Sequence, residues 1–422
     1  MTQTDTIFAL SSGQPPAGIA IIRISGPAAG WALDVLAGGR PEPRQAVYRR
    51  FRDVGGAPLD DGLALWFPGP KSATGEDLAE LHVHGGRAVV AAVLNALGRM
   101  EGCRPAQAGE FTRRALENGR IDLTEAEGLA DLLAAETEAQ RQSALALAEG
   151  GLGRLVAAWE KQLLIESARV EALLDFADEG DVADSGHDTT PLEQLVVALS
   201  ALRRAPPAER LRDGVRVVLA GPPNSGKSSL FNYLIGREAA IVTPIAGTTR
   251  DRIEAPVAME DIPLLLIDTA GLREDATDVV EKIGIERSSE AMAGADILLW
   301  LGPAADAPAG ALILAAKCDA GSVGAGLPIS SITGEGMDVL RTTLLERARA
   351  LLPRPGALAL HARHREILAE VEHWISDAIQ SEDLLVRAES LRLARGRLDT
   401  LTGRSGVESM LDALFGAFCI GK

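Results

Sequence analysis

Cysteine is scarce. Cys103, Cys318 and Cys419 are the only three in 422 residues, far apart and with no CxxC pair. That excludes a disulfide framework and a thiolate zinc site, and it fits a reducing compartment, the cytoplasm. No run of about 18 apolar residues occurs, so no membrane span is expected. The opening MTQTDTIFAL has no basic stretch ahead of an apolar one, as a secretory signal would. Basic charge is also short, since 42 Lys and Arg against 59 Asp and Glu leave a net charge of −17. A protein that grips nucleic acid alone draws most of its affinity from neutralising phosphates. Any RNA role here therefore needs a local basic patch or a basic partner, and the plain reading of the acidity is solubility. Internal repeats and low-complexity tracts are absent too, apart from general alanine richness.

Enough remains to fold: 46% of residues are apolar and 24% charged. The length exceeds one ordinary core, so two or three domains are expected. Residues 1–118 mix short apolar runs with turns. IAIIRIS (19–25), GLALWFPG (62–69) and DLAELHVHGG read as strands, and RAVVAAVLNALGRM has helical spacing, which together make a small α+β domain. Residues 119–212 read as helical. No proline occurs from Leu123 to Phe176, apolar residues keep a helical period, and Gly150, Gly151 and Gly153 mark a break between two long antiparallel helices. The polar stretch DEGDVADSGHDTTP precedes a further helix. From 213 to 353 the pattern changes: VRVVLAG, PLLLIDTAG, ADILLWLG and ALILAAKCD read as apolar strands alternating with helices, a parallel sheet covered on both faces. Residues 354–422 return to helices, so an α/β domain interrupts a helical one.

The strand VRVVLAG runs straight into GPPNSGKS (221–228), which matches GxxxxGK[ST]. In such a loop the backbone N–H groups curl around phosphates, Lys227 neutralises the β and γ oxygens, and Ser228 ligates Mg2+. The helix that follows aims its N-terminal dipole at the anion. A chance glycine turn is the bland alternative, and the strand-loop-helix context argues against it. Three further elements follow in order. AGTTRD (246–251) offers threonine hydroxyls suited to a Mg2+ that also touches the γ-phosphate. DTAG (268–271) ends a buried strand, where Asp268 holds Mg2+ through water and the Gly271 N–H meets the γ-phosphate. AKCD (316–319) ends another, where Asp319 accepts the two donors that guanine has and adenine lacks, and Lys317 lays its stem along the base. SSITGEG (330–336) closes over the base. The GTP contacts expected from this set are Asn224, Ser225, Gly226, Lys227, Ser228 and Ser229 in the loop, Thr243, Thr248 and Thr249 in the switch segment, Asp268, Thr269, Ala270 and Gly271, then Lys317, Asp319, Ser330 and Ser331.

Two departures stand out. This set is similar to translation-factor-related GTPases, but their Asn-Lys-x-Asp tetrad has Ala316 here in place of Asn, and Ser331 stands where Ala is usual. Losing the Asn amide removes one or two hydrogen bonds of about 1 kcal/mol each, so nucleotide affinity is expected to fall while guanine preference survives. The stretch between DTAG and AKCD is short, and a helix is expected to be reduced or missing there. The residue after DTAG is Leu272, an apolar side chain that cannot orient the attacking water. Asn224, beside the carbonyls of TPIAGTTRD, either holds a monovalent cation near the β/γ bridge or simply caps the loop.

The motifs as a set resemble one family over essentially the whole chain: the tRNA-modification GTPases called MnmE or TrmE, which act on the wobble uridine. The resemblance rests on DTIFALSSGQPPAGIAIIRISG (5–26), TGEDLAELHVHGG (74–86), AQAGEFTRRALENGRIDLTEAEGLADLL (106–133), GPPNSGKSSLFN, TPIAGTTRD, DTAGLRE and the final FCIGK (418–422). It implies an N-terminal α+β domain that dimerises and binds a 5-formyl- or 5,10-methylene-tetrahydrofolate, an all-α helical domain, and an inserted Ras-like P-loop domain with a mostly parallel sheet. Arg23, Glu80, Arg120 and Lys422 fall at the family's folate-contact positions. A carboxylate such as Glu80 accepts two bonds from a pterin, and basic side chains suit the glutamate carboxylates. Taken alone, Arg23 and Glu80 are ordinary surface charges. The resemblance also implies K+ held by Asn224, Thr243, Ile245 and Thr248, and Mg2+ held by Ser228 and Thr249. It makes Glu281 the residue that polarises the attacking water when two GTPase domains meet, against the plain reading of a solvated helix face. It gives Cys419 a catalytic role, against that of a buried inert thiol. The implied partner is an FAD-dependent protein (GidA or MnmG), forming a heterotetramer with the homodimer and supplying the tRNA contacts. The rival expectations are a ribosome-assembly GTPase, which needs no folate domain, and a scaffold with impaired nucleotide binding, prompted by Ala316.

Overall fold

The computed structural model describes residues 5–175, 188–238, 254–269, 289–321 and 324–404, and of the tail 411, 414–416, 418, 420 and 421, with the side chains of 237 and 238 excepted. The chain forms two compact units, Met1–Ala130 with Asp399–Lys422, and Asp131–Leu398.

The first unit is built on a six-stranded sheet. Its strands are β1 (Thr6–Leu10), β2 (Ile19–Ser25), β3 (Val47–Arg52), β4 (Pro58–Phe67), β5 (Leu78–His84) and β6 (Cys103–Pro105). Its helices are α1 (Ala29–Leu36), α2 (Arg87–Gly98), α3 (Glu110–Glu117) and the start of α4 (Leu123–Ala134). The strand order is β3-β4-β5-β2-β1-β6, and only the β1/β6 pair is parallel. Side chains alternate across a strand. Ile22 and Ile24 of β2 and Leu81 and Val83 of β5 therefore share one core with α1 and α2. Their neighbours Arg23, Glu80 and His82 fall on the opposite face. Near β1 that opposite face is closed by Phe111 of α3, packed with Ile7, Ala9 and Ala106. Phe415 and Phe418 of the tail pack with Ala126 of α4.

The second unit begins with α5 (Glu138–Ala148), α6 (Gly151–Asp175), α7 (Thr190–Arg204) and α8 (Ala208–Arg212). Thr137 caps α5 in a reciprocal box with Gln140. The break after α5 is two residues, Glu149 and Gly150, the glycine at φ +76°. Gly151 and Gly153 lie inside α6, so the break is narrower than the three glycines led one to expect. A second sheet follows, with β7 (Val215–Ala220), α9 (Lys227–Glu238), β8 (Glu254–Met259), β9 (Ile262–Asp268), β10 (Ile297–Trp300), β11 (Leu312–Ala316) and β12 (Leu327–Ile329), and then α10 (Met337–Leu351), α11 (Ala362–Gln380) and α12 (Leu384–Thr402). The order is β12-β11-β10-β7-β9-β8, parallel except for β8 against β9. Val217, Leu219, Leu266 and Leu299 pack with Leu230, Phe231 and Leu234 of α9 and Leu340 and Leu344 of α10. Pro256 is tolerated because β8 is an edge strand. Residues 301–311, all described, join the parallel neighbours β10 and β11 with no α-helix, only a 3-10 turn at Ala304–Asp306. This is the missing helix that the short sequence anticipates. Helices from either side of the sheet segment meet: Glu372 of α11 accepts from Ser200 Oγ and Arg203 Nε of α7. Among the described residues no helix is long and apolar enough to cross a membrane.

Candidate functional site

The phosphate loop sits where β7, apolar but for Arg216, turns into α9. Its shape depends on two glycines. Gly221 has φ +145°, and a Cβ there would lie 2.9 Å from the Leu301 carbonyl carbon. Gly226 has φ +104°, a conformation that L side chains rarely adopt. Asn224 adopts the left-handed region between them, at φ 59°. Lys227 opens α9 and is buried, with Nζ donating to the Gly221 and Pro222 carbonyls at 3.1 and 2.8 Å. Ser228 Oγ donates to Asp268 Oδ2 at 2.8 Å, which brings the loop and the end of β9 together at one pair of oxygens. Thr269 Oγ1 donates to the Leu219 carbonyl at 2.8 Å and ties the same strand end to β7. Ser225 Oγ is buried with no hydrogen-bond partner among the described residues. A loop with an unused hydroxyl, a tucked ammonium and a hard oxygen pair fits a phosphate chain with Mg2+. Ser229 lies exposed on the first turn of α9.

The base side is assembled from β11 and the loop after β12. Lys317 is left-handed, φ 64°, and its Nζ donates to the Asn224 carbonyl at 2.8 Å, so the lysine expected along the base also braces the phosphate loop. Asp319 is exposed in the 3-10 turn Cys318–Ala320. Burial first, then Glu335, pushes the Cys318 thiol up, which leaves it a poor nucleophile at neutral pH. Ser330 is buried and its Oγ accepts from the Ile332 and Thr333 amides at 3.2 and 3.1 Å, shaping the loop that carries Ser331. The Ala316 Cβ lies 3.6 Å from where a Cβ on Gly226 would be. A longer polar side chain at 316 therefore reaches the phosphate loop. Ala316→Asn is expected to tighten GDP and GTP binding roughly five- to tenfold, the worth of one good hydrogen bond. A titration with fluorescent GDP reads it, and unchanged or weaker binding would count against this geometry. Thr243, Ile245, Thr248, Thr249, Ala270, Gly271 and Glu281 lie outside the described residues.

A second cluster lies on the open sheet face of the first unit. Arg23 and Glu80 are register partners on β2 and β5, and Arg23 Nε and Nη2 reach Glu80 Oε1 at 3.1 and 2.9 Å. Arg120 is held one loop away, its Nε donating to the Ser72 carbonyl at 3.1 Å. Thr74 of that loop is hydrogen bonded to Ser25, two residues beyond Arg23 on β2, at 2.7 Å. The tail approaches from β1. Ile420 bridges Ala108, and Ser11 Oγ donates to the Gly421 carbonyl at 2.8 Å. Gly421 has φ +101°, and a Cβ there would lie 2.0 Å from the Leu10 carbonyl oxygen. The tail is therefore seated against the sheet just before Lys422. Lys422 and Cys419 themselves are outside the described residues. Sequence reasoning missed His82, whose Nε2 is 3.3 Å from Glu80 Oε2. Its position two residues after Glu80 in a strand was the signal available.

Two family models match the chain: the GTP-binding protein TrmE N-terminus over residues 6–120, and the MnmE helical domain over residues 123–419. The chain is 58% identical over 427 residues to the tRNA modification GTPase MnmE of Rhizorhabdus wittichii, covering 99% of this chain and 97% of that protein. It is 54% identical over 423 residues to that of Erythrobacter litoralis (99% and 100%), and 52% identical over 436 residues to that of Novosphingobium aromaticivorans (99% and 100%).

Proposed function

The chain belongs to the tRNA modification GTPase MnmE family, and from that premise we propose that it works as a K+-activated homodimer that helps build a carboxymethylaminomethyl group at C5 of the wobble uridine, position 34. It is a GTPase involved in tRNA modification. In the proposed reading residues 1–118 bind the folate and dimerise, 119–212 and 354–422 form the helical domain, and 213–353 hydrolyse GTP. An FAD-dependent partner of the GidA/MnmG kind joins in a heterotetramer and carries the tRNA contacts. A net charge of −17 supports that division of labour. No step in it needs a membrane, and its tRNA substrate places it in the cytoplasm.

Lys227 leaves its carbonyl partners for the β and γ oxygens of GTP and neutralises them. Ser228, Thr249 and Asp268 would hold Mg2+, which would neutralise phosphate charge. Asp319 and Lys317 orient guanine. Asn224, Thr243, Ile245 and Thr248 would hold K+, which would supply positive charge toward the phosphates where Leu272 offers none. Glu281 polarises the attacking water across the dimer. GTP hydrolysis drives movement between open and closed forms, while the one-carbon unit comes from a 5-formyl- or 5,10-methylene-tetrahydrofolate held by Arg23, Glu80, Arg120 and Lys422, with Cys419 as a catalytic thiol.

The observation that carries the reading is the Ser228–Asp268 oxygen pair beside the tucked Lys227. Steady-state GTP hydrolysis in KCl against NaCl at equal ionic strength tests it. We expect about tenfold more activity in KCl, and Asn224→Ala should remove the difference. Equal rates in the two salts would mean that no K+ site operates and that an ordinary GTPase switch is at work.

A further inference from the structure

The Glu80 carboxylate is gripped from two sides. Both Arg23 donors converge on Oε1 at 3.1 and 2.9 Å, while His82 Nε2 lies 3.3 Å from Oε2. Each carboxylate oxygen has about two acceptor sites. Oε1 is therefore filled by Arg23, and Oε2 keeps one site open. The three side chains are neither buried nor free, at 24% exposure for Arg23, 15% for Glu80 and 24% for His82. The neighbours that β4 and α3 place against them are apolar. β4 places Leu65 opposite Glu80 and Leu63 opposite His82, and α3 lays the Phe111 ring 5.9 Å from the Arg23 guanidinium carbon. Further along β5, His84 turns to Asp60 at 2.9 Å. Among these elements, Arg23 and His82 are the polar groups that act on Glu80.

We propose that His82 is a positioning residue of the folate site: by pinning Oε2 it stops the carboxylate from rotating, so that a pterin edge offering a ring N–H and an amine meets both oxygens by displacing one Arg23 hydrogen bond. This rests on the reading of Glu80 as a folate contact. The electrostatics agree with the geometry. The Glu80 carboxyl is held below the usual carboxylate range first by the His82 hydrogen bond, against burial, and then by Arg23. The carboxylate that a pterin needs therefore persists to lower pH than it would without His82.

The test is calorimetric titration of the full-length protein with 5-formyltetrahydrofolate between about pH 4 and 8, for wild type, His82→Leu and His82→Gln. Leucine removes the donor and should weaken binding about tenfold. It should also move the acid limb of the binding profile to higher pH, because Glu80 then protonates sooner. Glutamine restores an N–H donor and should bind within about threefold of wild type. Leucine binding like wild type with an unmoved acid limb overturns the proposal, and so does glutamine binding as poorly as leucine. Absence of saturable binding by wild type instead removes the folate reading itself, and the role of His82 with it.

Discussion

Lys227→Ala is expected to lower steady-state GTP hydrolysis by roughly a hundred- to a thousandfold, measured as phosphate release at saturating Mg2+ and KCl. Before any nucleotide arrives, the Lys227 ammonium is held inside the loop on the Gly221 and Pro222 carbonyls, with only 5% of the residue exposed. A triphosphate replaces those neutral acceptors with anionic oxygens, which add the attraction between opposite charges to each hydrogen bond. The gain grows further as charge builds on the departing phosphate, so the loss appears in the rate as well as in affinity. Lys227→Arg should not rescue. A compact ammonium fits beneath the loop, whereas a planar fork with five donors would be forced against the Gly221 and Pro222 backbone. The fold should survive alanine, because Gly221 and Gly226 set the loop's path and Lys227 does not. Alanine within about threefold of wild type would remove Lys227 from the chemistry.

What was legible in the sequence follows from how each element is buried. β7 is covered on both faces, so apart from the half-buried Arg216 it is an apolar run, and it leads straight into the glycine loop. β3, VYRRFR, was not legible, because only Phe51 of its six residues is buried and three arginines mask the alternation. β6 is three residues long, too short to carry a period. The break before α5 was written in the chain as Thr137-x-x-Gln140, a capping box, but no glycine or proline drew attention to it. Lys317 shows a different limit. Its residue type pointed to the base, while its left-handed backbone, which aims the amine at the Asn224 carbonyl, leaves no trace in residue order. Arg23 and Glu80 stood out through family motifs alone, since they become neighbours only when β2 and β5 pair.

Arg114→Leu is expected to destabilise the first unit by about 3–5 kcal/mol at neutral pH, the usual cost of leaving buried charge without its partner. Arg114 is 1% exposed. Its Nη2 donates to Asp5 Oδ1 at 2.9 Å and to Glu110 Oε1 at 3.1 Å, and its Nη1 donates to Glu76 Oε2 at 3.1 Å. Arg104 also pairs with Asp5 and Glu110, so leucine would leave one guanidinium for those two carboxylates and would take from Glu76 its Arg114 partner. Burial alone would raise the Asp5 and Glu110 carboxyls, but Arg104 and Arg114 outweigh it and hold both below the ordinary range. Groups lowered on folding stabilise the fold above their unfolded pKa of about 4, and that stability is lost as pH falls through the folded value. In the leucine variant Arg104 and the Gln107 amide still lower Glu110, but without Arg114 the carboxyls are lowered less, so acid removes less stability from the variant than from wild type. The gap between variant and wild type should therefore be widest near pH 7 and narrow toward about pH 4.5. Arg114→Lys keeps the charge but not the fork, and should fall between the two. Urea denaturation across that pH range reads all three proteins. A leucine variant within about 1 kcal/mol of wild type at pH 7, or a gap that widens on acidification, would mean that Arg104 alone sustains the cluster.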